Sequence, residues 1–229
     1  MKTGTILLSV LLWFVFLVVI AVLFTYLYFT RNLVSKNKII NSQRSGLILS
    51  DRNNKPFFTF NNAKLTKYIS ISEMPEHVKN SVIASEDKNF YQNPGFSLKG
   101  ILRAALVNLK AGKIIEGGST ISQGLVKNTL LSPSRNFVRK FQEIILAIEV
   151  NRRYSKNDIL EMYLNSVYFG EGAIGIENAA ETYFGIQAKN LNLAQSALLV
   201  GLLPAPSSLS PLSNEQSKAK EKQRSYCPK

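Results

Sequence analysis

Cysteine and histidine are almost missing from this chain. Among 229 residues there is one Cys, Cys227, and one His, His77. A lone cysteine excludes an intramolecular disulfide, so the fold rests on packing. A lone histidine excludes His-rich metal centres, and any Ser-His-Asp triad not built on His77. Acidic side chains are scarce too: 15 Asp and Glu face 28 Lys and Arg, for a formal net charge of +13. That excess predicts a polyanionic partner, whether nucleic acid, an anionic membrane surface or a phosphorylated ligand. Internal repeats and low-complexity tracts are also absent, which excludes solenoids and propellers. What remains is 45% hydrophobic, enough for a folded domain with a sizeable core.

One long apolar run chooses among the anionic partners. Ile6 to Phe29 spans 24 residues without a charge. At about 1.5 Å per residue such a helix crosses a hydrocarbon core of roughly 30 Å with some tilt. The run is longer than the apolar part of a cleavable signal peptide, and small residues at a cut site are missing. Tyr26 and Tyr28 suit the membrane interface. A retained single-pass anchor is therefore expected. Lys2 precedes the span, while Arg31, Lys36, Lys38 and Arg44 follow it. By the positive-inside bias this would place the following residues in the cytoplasm. Nucleic-acid binding has no supporting motif and conflicts with the anchor.

The chain divides into a short flank (1–5), the transmembrane helix (6–30), a juxtamembrane segment (31–66), a mainly α domain (67–211) and a basic polar tail (212–229). Gly46 to Ser50 and Pro56 to Phe60 read as short strands around the turn-like Asp51-Arg52-Asn53-Asn54. Ser97 is placed to cap a helix running to Ala111, with Gly112 just past its end. Phe141, Ile144, Ile145 and Ile148 fall at i, i+3, i+4 and i+7, which predicts the buried stripe of a helix. Ser155 with Asp158 opens another helix. Asn192 with Gln195 opens the last, which Pro204 and Pro206 close.

Four constellations carry potential chemistry. In Glu86-Asp87-Lys88-Asn89-Phe90 an acidic pair adjoins aromatic rings. Burial against such rings raises a carboxyl pKa toward general-base use; the plainer reading is an exposed acidic helix end. Gly117-Gly118-Ser119-Thr120-Ile121-Ser122-Gln123 permits close backbone approach to a ligand. It lacks Walker A spacing, and its plainer reading is a loop entering a helix. Arg135, Arg139 and Lys140, with Glu143, read either as a phosphate grip or as a solvent-facing ion pair. Glu161 to Asn165, Tyr168-Phe169-Gly170 and Tyr183-Phe184-Gly185 read mostly as packing and turns.

Taken in order, these segments resemble the peptidoglycan glycosyltransferase family, which includes monofunctional transglycosylases and the glycosyltransferase half of class A penicillin-binding proteins. The segments are EDKNFYQNPGF, GGSTISQGLVKN, RKFQEIILAIE, KNDILEMYLNSVYFG and LNLAQSALLVGLLPAPSSLSP, between about Gly46 and Pro211. The resemblance implies a mainly α, lysozyme-like helical domain with a small membrane-dipping lobe, to which Ile101 to Ile115 would contribute. It implies polymerisation of lipid II into glycan strands, with inversion and release of polyprenyl pyrophosphate. Glu86 matches the general base, and Glu143 the second carboxylate, near the leaving pyrophosphate or a divalent metal such as Mg2+ or Mn2+. Lys127, Arg135, Arg139 and Lys140 match basic positions that offset the leaving charge. Asp87, Phe90, Gly118, Ser119, Thr120, Gln123, Asn128 and Asn165 match the substrate-binding lining, with Arg103 on the helix after the first motif. Partners implied are lipid II, nascent glycan, membrane lipid and cell-wall synthesis or division proteins. The location implied is the bacterial cytoplasmic membrane, with the catalytic domain on its outer side.

The chain departs from the family pattern at four places. Asn93 replaces the usual His, Gly124 the second Gln of a Gln-Gln pair, Gln142 a common Lys and Gln195 a common Glu. These departures favour, as the alternative function, a catalytically degenerate membrane scaffold that binds precursor or division partners. A lytic enzyme is the nearest catalytic rival, but its substrate has no pyrophosphate to explain the basic cluster. A transpeptidase is not expected: Ser85/Lys88 and Lys2-Thr3-Gly4 match its motifs in the wrong order. The tail begins like the family's continuation and then stops, as a truncated chain would.

Overall fold

The computed structural model describes residues 2–30, 48–50, 56–59, 67–113, 117–131 and 137–212. Arg135, the Asp51–Asn54 turn, most of the 31–66 segment, Ile114, Ile115 and the tail beyond Leu212 lie outside the described residues.

The apolar run forms one helix, α1 (Lys2–Thr30). Within it, Ser9–Thr30 is long and apolar enough to cross a membrane. Trp13, Phe14 and Phe24 on this helix are exposed, as on a helix that meets apolar surroundings along its length. The two expected strands form a hairpin. β1 (Ile48–Ser50) pairs antiparallel with β2 (Pro56–Thr59), Ile48 opposite Thr59 and Leu49 opposite Phe58.

Beyond residue 67 the chain is helical: α2 (Glu76–Glu86), α3 (Leu98–Ala111), α4 (Ile121–Thr129), α5 (Phe137–Arg153), α6 (Lys156–Ser166), α7 (Ile176–Phe184) and α8 (Leu193–Leu202). The caps read from sequence are in place. Ser97 accepts from Gly100 N, and Gly112 ends α3 at φ 62°. Ser155 accepts from Asp158 N at the start of α6. Asn192 and Gln195 form a reciprocal capping box on α8. Each such cap is worth about 1 kcal/mol. Gln195 does there what a Glu would do, which explains that departure from the family pattern.

The short helix α4 lies at the centre, packed against α5 and α6, while α2 packs on α8. Its Leu125 and Val126 are fully buried, as are Leu160 and Leu164 of α6, Phe169 and Leu199. Burying each of these side chains stabilises the fold by about 1.5–3 kcal/mol. The chain entering the domain is stapled to α6. Asn165 accepts from Ile69 N (3.0 Å) and donates to Ile69 O (2.9 Å), while Glu161 accepts from Ile71 N (2.8 Å) and from the Tyr68 hydroxyl.

Helix α5 differs from its expected orientation. Of the predicted stripe, Ile145 is buried and Ile144 and Ile148 are half-buried, but Phe141 is 48% exposed, and the buried face extends through Glu143, Leu146, Ala147 and Val150. The apolar-stripe argument assumed that glutamates face water. Here Glu143 is buried between cations of its own helix, and small Ala147 permits close packing. Glu149, also buried, faces the anchor: it accepts from the Tyr26 hydroxyl, from Arg152 (2.8 and 2.6 Å) and from Arg153 (2.5 Å). The Arg152 hydrogen bonds, then those of Tyr26 and Arg153, overcome burial and hold the Glu149 carboxyl at about 2.

Helix α3 shows the opposite imbalance. Leu98, Leu102, Leu106 and Leu109 lie on one face and are all more than half exposed, Leu109 at 79%. Val138 and Phe141 of α5 are exposed as well. This leucine face falls largely within the 101–115 stretch that the resemblance assigns to a membrane-dipping lobe.

Candidate active site

Glu86 ends α2 and lines a cleft of about 480 Å³. One wall is Glu86 with Asp87, Lys88 and Asn89; the second is the start of α3, through Ser97, Gly100 and Arg103; the third is the Gly117–Thr120 loop. That loop lies tight on α3. A Cβ on Gly118 would meet Gly100 O and Ile101 Cα, each at 2.9 Å. A glycine at 118 is thus needed where the two backbones meet, whereas a Cβ on Gly117 would have nothing within 4 Å.

Asp87 holds the cleft floor together. Its oxygens accept from Asn93 Nδ2 (2.9 and 2.8 Å) and from Ile121 N (3.3 Å), the first residue of α4. Burial raises the Asp87 pKa, and the bonds from Asn93 and Ile121 oppose that shift. Asn93 is equally committed, since its Oδ1 accepts from Gly95 N (3.0 Å). Lys156 Nζ donates to Asn93 O (2.7 Å) and Asn151 Oδ1 (2.5 Å), and Asn151 donates to Ser122 Oγ (2.6 Å). Lys156 also lies 4.8 Å from the ring centroid of Phe90, which is fully buried. Asn93 therefore shapes the loop behind the cleft. Where the family usually carries His, this chain carries an amide whose donor and acceptor are both used internally.

Thr120 caps α4 in a reciprocal box with Gln123, and its hydroxyl donates to Gly95 O (2.7 Å). Gln123 is 1% exposed, and its Nε2 has no hydrogen-bond partner. Lys140 links two of the motifs: its Nζ donates to Ser119 Oγ (2.8 Å) and to Glu143 Oε2 (2.8 Å). Arg139 faces the other Glu143 oxygen at 3.6 Å. Glu143 thus holds Lys140 against the Gly-Gly-Ser-Thr loop, with Arg139 beside it on the same helix.

Glu143 was also the residue expected near a divalent ion. Both of its oxygens face cations, and the described residues contain no group of three His, Cys, Asp or Glu side chains able to hold a metal. This donor set does not fit a protein-held metal, and Lys140 and Arg139 supply the positive charge.

Of the expected site residues, the structure brings Glu86, Asp87, Arg103, Gly118, Ser119 and Thr120 to the cleft, with Lys140, Glu143 and Arg139 joined to it through Ser119. Phe90, Gln123 and Asn165 are buried structural residues outside its lining. Lys127 and Asn128, at the end of α4, are not in the lining either. Arg135 lies outside the described residues. Sequence reasoning missed Lys88 and Asn89 as lining, and the Lys156–Asn151–Ser122 chain. Lys88 and Asn89 stood inside a recognised motif, whereas nothing in the spacing of Lys156 pointed to Asn93.

The transglycosylase family model matches residues 53–227. The chain belongs to the transglycosylase family. Similar proteins include penicillin-binding protein 1A of Aquifex aeolicus (46% identical over 144 residues) and penicillin-binding protein 1F of Bacillus subtilis (44% over 144 residues). Each match covers 63% of this chain and 20% of the relative. Penicillin-binding protein 1A of Neisseria gonorrhoeae is 41% identical over 157 residues, 68% of this chain and 20% of its own length. The chain thus spans about a fifth of the length of the relatives it matches.

Within this transglycosylase, Gly124 has a packing reason. A Cβ there would lie 3.0 Å from Tyr163 Cε2. Burial, and secondarily the charge of Glu86, push the Tyr163 phenol well above its ordinary value, so this ring stands close behind the acidic end of α2. Gly124→Ala gains about 1 kcal/mol of helix propensity but crowds the ring, a cost of about 1–3 kcal/mol. The expected net result is a loss of about 1 kcal/mol in denaturant unfolding, and no loss when Gly124→Ala is introduced into a Tyr163→Leu background and compared with that background.

Proposed function

We propose that this chain is a membrane-anchored peptidoglycan glycosyltransferase that polymerises lipid II. The observation that carries the reading is the cleft: Glu86 on one wall faces a Gly-Gly-Ser-Thr loop to which Glu143 tethers Lys140. In the proposed reaction Glu86 accepts the proton of the acceptor sugar's 4-hydroxyl. The freed oxygen pair forms the new bond to the donor's anomeric carbon. The bond from that carbon to the polyprenyl pyrophosphate breaks with inversion, and the electron pair leaves on the pyrophosphate. One base suffices for such a displacement. Arg103, Lys140 and Arg139 stabilise the departing charge, which develops where donors are already fixed. Asp87 is too deeply engaged with Asn93 and Ile121 N to share the proton transfer. Mass spectrometry of products from labelled lipid II tests this. Oligosaccharide growth with equimolar polyprenyl pyrophosphate is expected; precursor hydrolysis without chain growth would refute it.

The reading places the catalytic domain on the outer side of the bacterial cytoplasmic membrane, where division and cell-wall synthesis proteins are candidate partners. The exposed leucine face of α3 supports an approach to the bilayer, since it carries the large apolar groups that water disfavours. In a Cys227→Ser background, an environment-sensitive dye on Leu106→Cys is expected to report an apolar, lipid-quenchable surrounding. The same dye on Lys189→Cys is expected to report water.

A further inference from the structure

A second cavity, of about 560 Å³, lies where α1 meets the end of α5. Phe24, Tyr26 and Tyr28 of the anchor line it together with Glu149, Arg152 and Arg153. Nothing in the proposed glycosyl transfer uses it. Glu143, which reaches the catalytic loop, precedes Glu149 by about 9 Å along the helix axis and points to a different face.

We propose that this cavity binds the phosphate of an anionic phospholipid headgroup, seating the domain on the membrane beside its own anchor. The first argument is depth. The span Ser9–Thr30 has 22 residues, about 33 Å of helix against a hydrocarbon core of roughly 30 Å. Phe24 to Thr30 therefore end at the membrane boundary, and the arginines beside them stand at the level of lipid phosphates. The second argument is charge. Among the described lining residues two guanidinium groups share one carboxylate, a surplus of one positive charge, and the remaining lining is aromatic, aliphatic or hydroxyl-bearing.

The third argument is geometry. Glu149 is 1% exposed and holds Arg152 through Nε and Nη2 and Arg153 through Nε. The Arg152 plane is thereby fixed at two points and Arg153 is anchored at one, while their side chains stay 65% and 38% exposed. A planar fork held in this way suits a phosphate oxygen pair. Glu149, the one carboxylate among the described lining residues, is buried beneath them, so the ammonium of a zwitterionic headgroup meets the arginines' positive charge instead. The site therefore selects net negative lipids over phosphatidylcholine.

The test uses the full chain in phosphatidylcholine nanodiscs with trace spin-labelled phosphatidylglycerol. The spectrum reports the motionally restricted lipid fraction. Wild type is expected to retain phosphatidylglycerol over labelled phosphatidylcholine. In the triple variant Glu149→Gln/Arg152→Gln/Arg153→Gln, which leaves no unpaired carboxylate, the preference is expected to fall on the order of tenfold. Lys189→Gln, an exposed lysine elsewhere, is expected to leave it unchanged. Should the triple variant unfold, Arg153→Gln alone, with Arg152 still holding Glu149, is expected to lose part of the preference. Equal retention in the wild type and the folded variant would overturn the proposal. So would displacement of the labelled lipid by inorganic phosphate, or by polyprenyl pyrophosphate at lower concentration than phosphatidylglycerol. Either would assign the cavity to free phosphate or to the reaction's own lipid.

Discussion

Glu86→Gln is expected to lower the turnover number for glycan polymerisation by about 10²–10⁴-fold, the range spanned by a positioned general base. The substitution keeps size and hydrogen-bonding capacity but removes the ability to take a proton. Neighbouring carboxylates offer no substitute. Asp87 receives three hydrogen bonds on the cleft floor, and Glu143 is paired with Lys140 and Arg139. The fall is expected in kcat with KM near wild type, because Glu86 acts on a proton that moves only in the chemical step. Initial rates over a range of lipid II concentrations separate the two parameters. A loss smaller than about tenfold would remove Glu86 from the base role.

Gly95→Ala is expected to cost about 2–6 kcal/mol of stability, combining left-handed backbone strain with overpacking. Gly95 has φ +108°, and a Cβ there would stand 2.5 Å from Ala147 O and 2.7 Å from Asn151 Nδ2. The first of these is backbone in the middle of α5 and has no room to retreat. Domains of this size have about 5–15 kcal/mol in total, so the loss is a large fraction of the whole. Gly112→Ala is the control: its φ is +62°, with nothing within 4 Å of the added carbon, and only strain on the order of 1 kcal/mol is expected. Denaturant unfolding in detergent compares the two. A Gly95→Ala loss below about 1 kcal/mol would show that the 93–95 loop is not clamped between α4 and α5 in this way.

What was legible in the sequence was local. Caps such as Ser97, Ser155 and Asn192 announce themselves because the capping side chain and its partner lie three residues apart. The anchor and the hairpin were readable from apolar length and from strand composition. The rotation of α5 was not, because it depends on where two glutamates find cations. Arg139, Lys140, Arg152 and Arg153 are near in sequence, but Tyr26 lies 123 residues from Glu149. The site divides likewise. Glu86 and the Gly-Gly-Ser-Thr loop were legible as motifs, and they share one cleft. Asn165 and Phe90, equally prominent in the motifs, are structural, since their partners are Ile69 and Lys156 from distant segments. Asn93 stood out in the sequence only as a departure from the family's usual His, but it is the clamp on Asp87.

The central claim is that this cleft polymerises lipid-linked disaccharide with Glu86 as the base. Its most direct test is a gel of the products formed from labelled lipid II by the purified chain in detergent, beside Glu86→Gln. Ladders of glycan from the wild type, with none from the variant, are the predicted result. Bound precursor but no polymer from either protein would contradict it, and would make the chain a precursor-binding scaffold.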